Sequence, residues 1–226
     1  MKTLAIVGAG PGLGMSIARI FGQQGFRIAL IARTQEKLDI YVQQLRELDI
    51  EAAAFPADIL NEAQLESALT NVKATFGSVD VLEYSPVSNF ADVASVLDVT
   101  AENATLQFRH QMVGAITSVR AVLPDMLSKG NGALFFTTGL SAINPNPAFG
   151  NVGLAMSALR NYAYSLNTVL APKGIYAGTL SIGIFIKKGD PNNDPDNIAA
   201  RIYEMCEKRD RVEETFPSDI LKPHGA

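Results

Sequence analysis

Short apolar runs alternate along the chain with segments whose apolar residues recur every three or four positions. Continuous apolar runs are typical of parallel strands buried on both faces, and the longer period is typical of amphipathic helices. The pattern predicts six strands, at 3–9, 26–33, 51–58, 79–86, 133–139 and 175–185. It predicts helices at 13–25, 34–49, 61–77, 151–174 and 197–209, and one long helix within 101–132.

Strands that alternate with helices across short turns indicate an α/β fold with one doubly wound parallel sheet and helices on both faces. No internal repeat or linker divides the sequence, so we predict a single Rossmann-type domain over residues 1–226. From about residue 187 the pattern predicts a polar loop, one helix and a tail. These are too short to form a second domain.

Composition narrows the classes of function. Hydrophobic residues make up 47% of the chain, and no apolar run has the length of about 18–20 residues that a membrane helix needs. The net charge of −4 is distributed over mixed signs, which argues against a nucleic-acid surface. The apolar N-terminus leads directly into glycines without a signal-peptide cleavage site, so it is predicted to be the first strand.

The cysteine and histidine content gives few candidates for chemistry. Cys206 is the one cysteine, so an internal disulfide is impossible and a reducing, cytoplasmic location is expected. Cys206 is either a thiol nucleophile or a cysteine packed on the last helix. His110 is expected to be non-catalytic and His224 to be solvated in the tail. These two histidines lie far apart, and no cluster has ligand spacing, so we predict no metal site.

The segment "GAGPGLG" follows the first predicted strand and opens the first helix. Glycines there allow a backbone to approach a pyrophosphate, and the helix N-terminus offers unpaired N–H groups to an anion. A dinucleotide site is therefore predicted at Gly8, Gly10, Pro11, Gly12, Leu13 and Gly14. The alternative is a tight turn that uses glycine only for its backbone freedom.

The end of the second strand bears on which dinucleotide binds. The sequence there is Ala32, Arg33, Thr34, with no carboxylate to accept the ribose 2′-hydroxyl of NAD. The Arg33 guanidinium could instead pair with a 2′-phosphate, which favours NADP over NAD. A solvated arginine in an ordinary turn is the alternative.

The glycine spacing resembles the G-x-x-x-G-x-G turn of the short-chain dehydrogenase/reductase family. The segments "TQEKL" and "ALFFTTGLSA" are similar to the opening of this family's second helix and to its fifth strand. The segment "SALRNYAYSLNTVLAPKGIYAG" is similar to its long helix, glycine turn and sixth strand, and the three segments follow in the same order. The tail "FPSDILKP" resembles the short end of some members, so a complete chain is expected. The resemblance implies an NAD(P)-dependent oxidoreductase fold. It implies nucleotide contacts at Arg33, Thr34, Asp58, Ile59, Ser85 and Ile184, besides the glycine turn. For Asp58 the alternative is a helix cap for the segment that begins near Asn61.

The residues that this family uses for chemistry are replaced. Members use a tyrosine as the proton donor, a lysine four residues later, a serine upstream and an asparagine on the preceding helix. In an alignment on "SALRNYA", the tyrosine position falls on Val152 and the lysine position on Met156. The serine position falls on Thr138 or Gly139, and the asparagine position on Gln111. An isopropyl group cannot donate a proton and a thioether cannot replace an ammonium.

Three other side chains are weak catalytic candidates. Glu83 lies within an apolar strand, where burial would raise its pKa, and it is either a general acid or a partnered structural carboxyl. Tyr84 ends that strand and is either a ligand contact or a packed ring with a bonded hydroxyl. Thr138 could donate to a carbonyl or could be an ordinary threonine at a strand end.

Three functional hypotheses remain open. The first is an NADP(H)-binding pseudoenzyme, such as a redox sensor. The second is an active oxidoreductase that uses other residues on an activated carbonyl or C=C substrate. The third is a nucleotide-free scaffold that binds a partner, against which the intact glycine turn argues. Resemblance alone implies a homodimer or homotetramer, and the sequence does not identify a substrate.

Overall fold

Seven parallel strands form one sheet in the computed structural model, which describes residues 1–220. The strands are β1 Thr3–Val7, β2 Arg27–Ala32, β3 Ala52–Pro56, β4 Val81–Tyr84, β5 Gly132–Gly139, β6 Ile175–Ile182 and β7 Glu213–Phe216. Their order across the sheet is β3-β2-β1-β4-β5-β6-β7. The chain runs outward from β1 in one direction and then resumes at β4 on its other side. The carboxyl ends of β1 and β4 therefore flank the point where strand order reverses, which is the usual ligand crevice of such sheets.

Helices cover both faces of the sheet, which confirms the predicted α/β class. They are α1 Leu13–Gln23, α2 Gln35–Arg46, α3 Glu62–Phe76, α4 Ala101–Phe108, α5 Gly114–Lys129, α6 Gly150–Leu170 and α7 Pro195–Lys208. One apolar core lies between the sheet and α1, α2 and α7, and the other lies between the sheet and α3, α5 and α6. Within residues 1–220, none of the helices combines the length and the apolar character required to cross a membrane.

The last strand differs from the sequence prediction. The pattern predicts a tail after residue 209, but Glu213–Phe216 pair with β6 as the parallel edge strand β7. This segment has no apolar run in its sequence. Its two carboxylates pair with arginines of the neighbouring helices. Glu213 pairs with Arg160 of α6 at 2.5 Å and Glu214 with Arg201 of α7 at 2.8 Å. Charged edge strands are common in proteins because charge discourages pairing with other chains. The remaining tail prediction, including His224, lies outside the described residues.

The long helix predicted within 101–132 is continuous from residue 101 to residue 129, but it contains one wider turn. The α4 and α5 helices are joined without a gap by the π-helical segment Arg109–Val113. The Tyr84 hydroxyl donates to the His110 carbonyl in this segment at 2.6 Å. Gly114 begins α5 directly against the Tyr84 ring, where an added Cβ would lie 3.2 Å from Cζ and still closer to the hydroxyl. The helical pattern of the sequence continues through this π-helical segment, so the sequence does not reveal where the helix widens.

Gly114→Ala tests this contact. The added methyl group overpacks against Tyr84, at a typical cost of about 1–3 kcal/mol, which exceeds the gain of about 1 kcal/mol in helix propensity. We expect Gly114→Ala to lower the free energy of unfolding in the wild type. When Gly114→Ala is made in the Tyr84→Phe background, which lacks the hydroxyl, the loss in free energy of unfolding should be smaller by at least about 1 kcal/mol. Urea unfolding of the four proteins measures this coupling, and additive effects would contradict it.

Candidate functional site

The turn after β1 approaches the end of β4 so closely that no side chain fits between them. Gly8 has φ +96°, and a Cβ added there would lie 2.6 Å from the Pro86 Cα. The N–H groups of Gly8 and Ala9 both donate to the Ile31 carbonyl at 3.0 Å, which fixes the turn on β2. Glycine at this position thus serves both a left-handed backbone and a close approach.

The same turn leaves the start of α1 open. Gly12 is its N-cap residue, no side chain caps the helix, and its first turn contains no acidic residue. A Cβ added at Gly12 would have no neighbour within 4 Å. The positive end of the helix dipole therefore meets open space, which is the arrangement that binds a phosphate.

A cleft extends from this turn in two directions along the carboxyl edge of the sheet. One part, of about 290 Å³, is called here the Arg33 compartment. The other, of about 460 Å³, is called the apolar compartment. Both parts are lined by Gly8, Gly10, Pro11, Pro86 and Val87. The glycine turn is thus the shared wall between two spaces of different character.

In the lining of the Arg33 compartment, the side chain that is positively charged at neutral pH is Arg33. Arg33 is exposed on its rim and pairs with no carboxylate of residues 1–220. Burial, and then the Arg33 charge, lower the pKa of His110, so its imidazole is neutral at neutral pH. Asp58 and Ile59 also line the space. Asp58 Oδ1 accepts from the Leu60 N–H at 3.0 Å.

The structure decides the alternative for Asp58. Asn61, and not Asp58, caps α3, because its side chain accepts from the Gln64 N–H at 3.2 Å. Asp58 therefore stays in the compartment wall. Thr34 is the N-cap residue of α2, without a side-chain hydrogen bond, and it does not belong to the lining of either compartment.

The apolar compartment has no charged side chain in its lining. Its polar groups are Ser85, Ser88, Thr137 and Thr138. Its apolar side chains come from the loop after β4, the start of α6 and the end of β6. They include Phe90, Val93, Phe149, Val152, Met156, Ile182, Ile184 and Ile186. A ligand there meets hydrocarbon and hydroxyl groups.

Val152 and Met156 line the compartment from the first turns of α6. The Met156 sulfur accepts a hydrogen bond from the Gly139 N–H at 3.0 Å. A Cβ at Gly139 would lie 3.2 Å from the same sulfur. The thioether and the glycine therefore fit one another, and an ammonium in place of the sulfur would face an N–H donor.

The structure separates the catalytic candidates. Thr138 lines the compartment, and its Oγ1 lies 2.8 Å from Ser181 Oγ. Tyr84 is fully buried outside the lining, with its hydroxyl bonded to His110, which fits the alternative of a packed ring. Cys206 is buried, and burial raises the pKa of its thiol, which fits a packed cysteine.

Glu83 lies beneath the floor of the apolar compartment. Its carboxyl accepts from Ser85 Oγ at 2.8 Å and from Thr137 Oγ1 at 3.0 Å. Burial raises its pKa from 4.5 to about 7, and the two hydroxyl bonds partly oppose that shift. The carboxyl is thus both partnered and titratable near neutral pH.

Three buried amides fix the loop after β4, and sequence reasoning gave none of them this role. Gln107 Nε2 and Asn151 Nδ2 donate to the Asp92 carbonyl at 3.0 and 2.8 Å. Gln111 Nε2 lies 3.2 Å from Ser88 Oγ and is buried outside the cleft lining. Polar residues within otherwise apolar helix faces are the sequence signal for such a network. The amides hold the wall that carries Phe90 and Val93.

The family model of short chain dehydrogenases matches residues 2–190. A curated relative, the dehydrogenase/reductase SDR family protein 7-like of Drosophila melanogaster, is 29% identical over 188 residues. The match covers 80% of this chain and 56% of the fly protein, so the chain spans little more than half of that relative's length.

Solved structures share the fold. A short chain oxidoreductase from Pseudomonas aeruginosa PAO1, described as containing an atypical catalytic center, has a TM-score of 0.86 at 20% identity. The match covers 99% of this chain and 98% of the oxidoreductase. L-Sorbose reductase from Gluconobacter frateurii, complexed with NADPH and L-sorbose, has a TM-score of 0.82 at 18% identity. This match covers 91% of this chain and 89% of the reductase.

The raised pKa of Glu83 predicts how stability depends on pH. Because its folded pKa of about 7 lies above the ordinary value of 4.5, the folded state holds the proton more tightly than the unfolded state. Stability is therefore lost as the pH rises from about 5 to 8, by about 3 kcal/mol in total. Glu83→Gln removes this pH-dependent contribution. The free energy of unfolding of Glu83→Gln, relative to that of the wild type, should therefore increase as the pH rises over that range. Urea unfolding at several pH values measures the difference, and Glu51→Gln, an exposed site, is the control. Parallel pH curves for wild type and Glu83→Gln would contradict the prediction.

Proposed function

Because the chain belongs to the short-chain dehydrogenase family of oxidoreductases, we propose that it binds NADP(H) and acts as a redox-responsive nucleotide-binding protein without the family's usual proton-transfer residues. Proteins of this family bind nicotinamide dinucleotides. The observation that carries the proposal is the continuous cleft, in which the glycine turn connects an arginine-bearing compartment to an apolar one.

The residues present fit a phosphorylated dinucleotide. The uncapped start of α1 and the open space above Gly12 suit a diphosphate. The Arg33 guanidinium, free of carboxylate partners among residues 1–220, suits a 2′-phosphate. Asp58 and Ile59 would then meet the adenine. The similar fold of L-sorbose reductase is described in complex with NADPH, which supports the choice.

The apolar compartment supports a role in binding more than a conventional reduction. When bound, the nicotinamide cofactor supplies a hydride. The chain must supply the proton, and Val152 and Met156 have none to donate. The Gly139 N–H, which could have bound a ligand oxygen, is occupied by the Met156 sulfur.

A second candidate function is an active oxidoreductase for an uncharged, activated carbonyl or C=C substrate. The specific observation in its favour is that Thr137 and Thr138 bring hydroxyl groups to the compartment wall. The similar fold from P. aeruginosa is described as an oxidoreductase with an atypical catalytic center. An absence of charge in the lining favours a neutral substrate in that case.

Assembly and location remain predictions. Phe108 of α4 and Leu154 of α6 are exposed apolar side chains, at 44% and 61%, on the helices that resemblance places in a homo-oligomer interface. A cytoplasmic location is proposed from the single cysteine.

Titration with NADPH and NADH, followed by nucleotide fluorescence, tests the cofactor proposal. Arg33→Ala should weaken NADPH at least about tenfold through loss of a charged pair with the 2′-phosphate, while NADH binding stays unchanged. Lys37→Ala, an exposed cation on the neighbouring helix, is the matched control. Gly10→Leu should abolish binding of both, because a side chain there enters the space between the two compartments. No binding of either nucleotide near ~1 mM, a free energy of about −4 kcal/mol, would leave the partner-binding scaffold.

Turnover distinguishes the two redox functions. For a binding protein, NADPH oxidation with a panel of aldehydes, ketones and enones should be no faster for the wild type than for Gly10→Leu. Absorbance of the reduced nucleotide measures this directly. Turnover that Gly10→Leu lacks would favour the enzyme. In that case Thr138→Val should lower kcat by about 10²-fold or more if its hydroxyl serves the substrate oxygen.

A further inference from the structure

Glu83 is the one Asp, Glu, Lys or Arg side chain among residues 1–220 that is buried in the protein, at 0% exposure. A carboxyl at the centre of a parallel sheet has a large desolvation cost when it is charged. An apolar residue would avoid that cost. Core packing therefore does not explain this residue.

The carboxyl is separated from the cleft by a single layer of hydroxyl groups. Ser85 Oγ donates to one of its oxygens and Thr137 Oγ1 to the other. Both residues line the apolar compartment. A charge on Glu83 therefore acts on the contents of that compartment through two polarisable hydrogen bonds, of 2.8 and 3.0 Å.

The causes of the raised Glu83 pKa are burial and the two opposing hydroxyl bonds, and no charged group is among them. The flanking strands β1 and β5 contain no charged residue. On the face that Glu83 shares, the arginines are paired with carboxylates: Arg19 of α1 with Asp196 of α7, and Arg201 of α7 with Glu204 and with Glu214 of β7. Two buried titratable groups on that face are neutral at ordinary pH: Cys206 of α7, whose thiol pKa is raised by burial, and Tyr176 of β6, whose hydroxyl donates to the Arg211 carbonyl.

The proposed nucleotide would place its nicotinamide ring in the apolar compartment. The 2′-phosphate end requires Arg33 and the diphosphate requires the glycine turn, which leaves the compartment beyond the turn for the other end. The oxidised ring carries one positive charge and the reduced ring carries none. The compartment lining has no charge of its own, so Glu83 is the ionisable group beneath it that distinguishes the two rings.

We propose that Glu83 determines the preference of the cleft between oxidised and reduced nucleotide: as a carboxylate it favours NADP⁺, and as a carboxylic acid it treats NADP⁺ and NADPH alike. This inference rests on the proposed function. It makes Glu83 a specificity-determining residue whose protonation is coupled to the redox state of the ligand.

The sign of the coupling follows from linkage. The carboxyl has a pKa of about 7, so both forms are populated near neutral pH. A cationic ring favours the carboxylate, lowers that pKa and releases a proton on binding. By reciprocity, NADP⁺ binds more tightly as the pH rises through this range. NADPH lacks the ring charge and serves as a control with the same 2′-phosphate.

Calorimetric titration of the full chain with NADP⁺ and NADPH tests the proposal. The measured quantity is the ratio of the NADPH Kd to the NADP⁺ Kd, between about pH 5.5 and 8.5. A shift of one pKa unit raises this ratio about tenfold in the wild type. The ratio should stay level with pH in Glu83→Gln, which keeps the volume of the side chain, and should rise in Glu51→Gln as in the wild type.

A second measurement does not depend on a variant that folds. Infrared difference spectra of the wild type near neutral pH should show loss of a protonated carboxyl band on addition of NADP⁺ and no loss with NADPH. An equal pH dependence of the ratio in wild type and Glu83→Gln would overturn the inference, as would an unchanged carboxyl band. In both of those outcomes the nucleotides still bind and the proposed function stands. Failure of both nucleotides to bind at any pH would overturn the proposed function and this inference together.

Discussion

The contact between the end of β1 and the end of β4 governs the rest of the site. At Gly8 the two backbones meet where a single Cβ would collide with Pro86. This contact sets the floor of the cleft, divides it into two compartments and aims the start of α1 at the space between them. The sheet order places the contact at the point of strand reversal, so the cleft follows from topology together with one glycine.

The two compartments have different chemistry although they share a wall. The Arg33 side has an exposed cation, a carboxylate and a neutral imidazole, which is a suitable set for a polar, phosphorylated group. The other side is lined by Val152, Met156 and the apolar loop after β4. That loop is held by amides of α4, the π-helical segment and α6, so its apolar face is a fixed wall. A fixed apolar wall favours binding of an apolar group in one orientation.

Much of this arrangement could be predicted from the sequence because it depends on local pattern. Continuous apolar runs gave the first six strands, and the glycines between the first run and the first helix gave the turn. Glu83 could be recognised as a buried acid because its strand neighbours are apolar. The partners of Glu83 could not be predicted, since Thr137 comes from a strand 54 residues away in sequence. The edge strand β7 was missed because ion pairs with α6 and α7, and not apolar burial, hold it. The π-helical turn at Arg109–Val113 could not be predicted either, since its contact with Tyr84 comes from β4 and has no local signature in the sequence.

The fit between Met156 and Gly139 has a consequence for how these two positions can change. A side chain introduced at 139 would place its Cβ 3.2 Å from the thioether sulfur, and a lysine introduced at 156 would point its ammonium at the Gly139 N–H. Each of these changes is therefore disfavoured while the other position keeps its present residue. The two positions are coupled, so the effects of substitutions at 139 and 156 on stability will not add, and the residue that one position tolerates is set by the residue at the other.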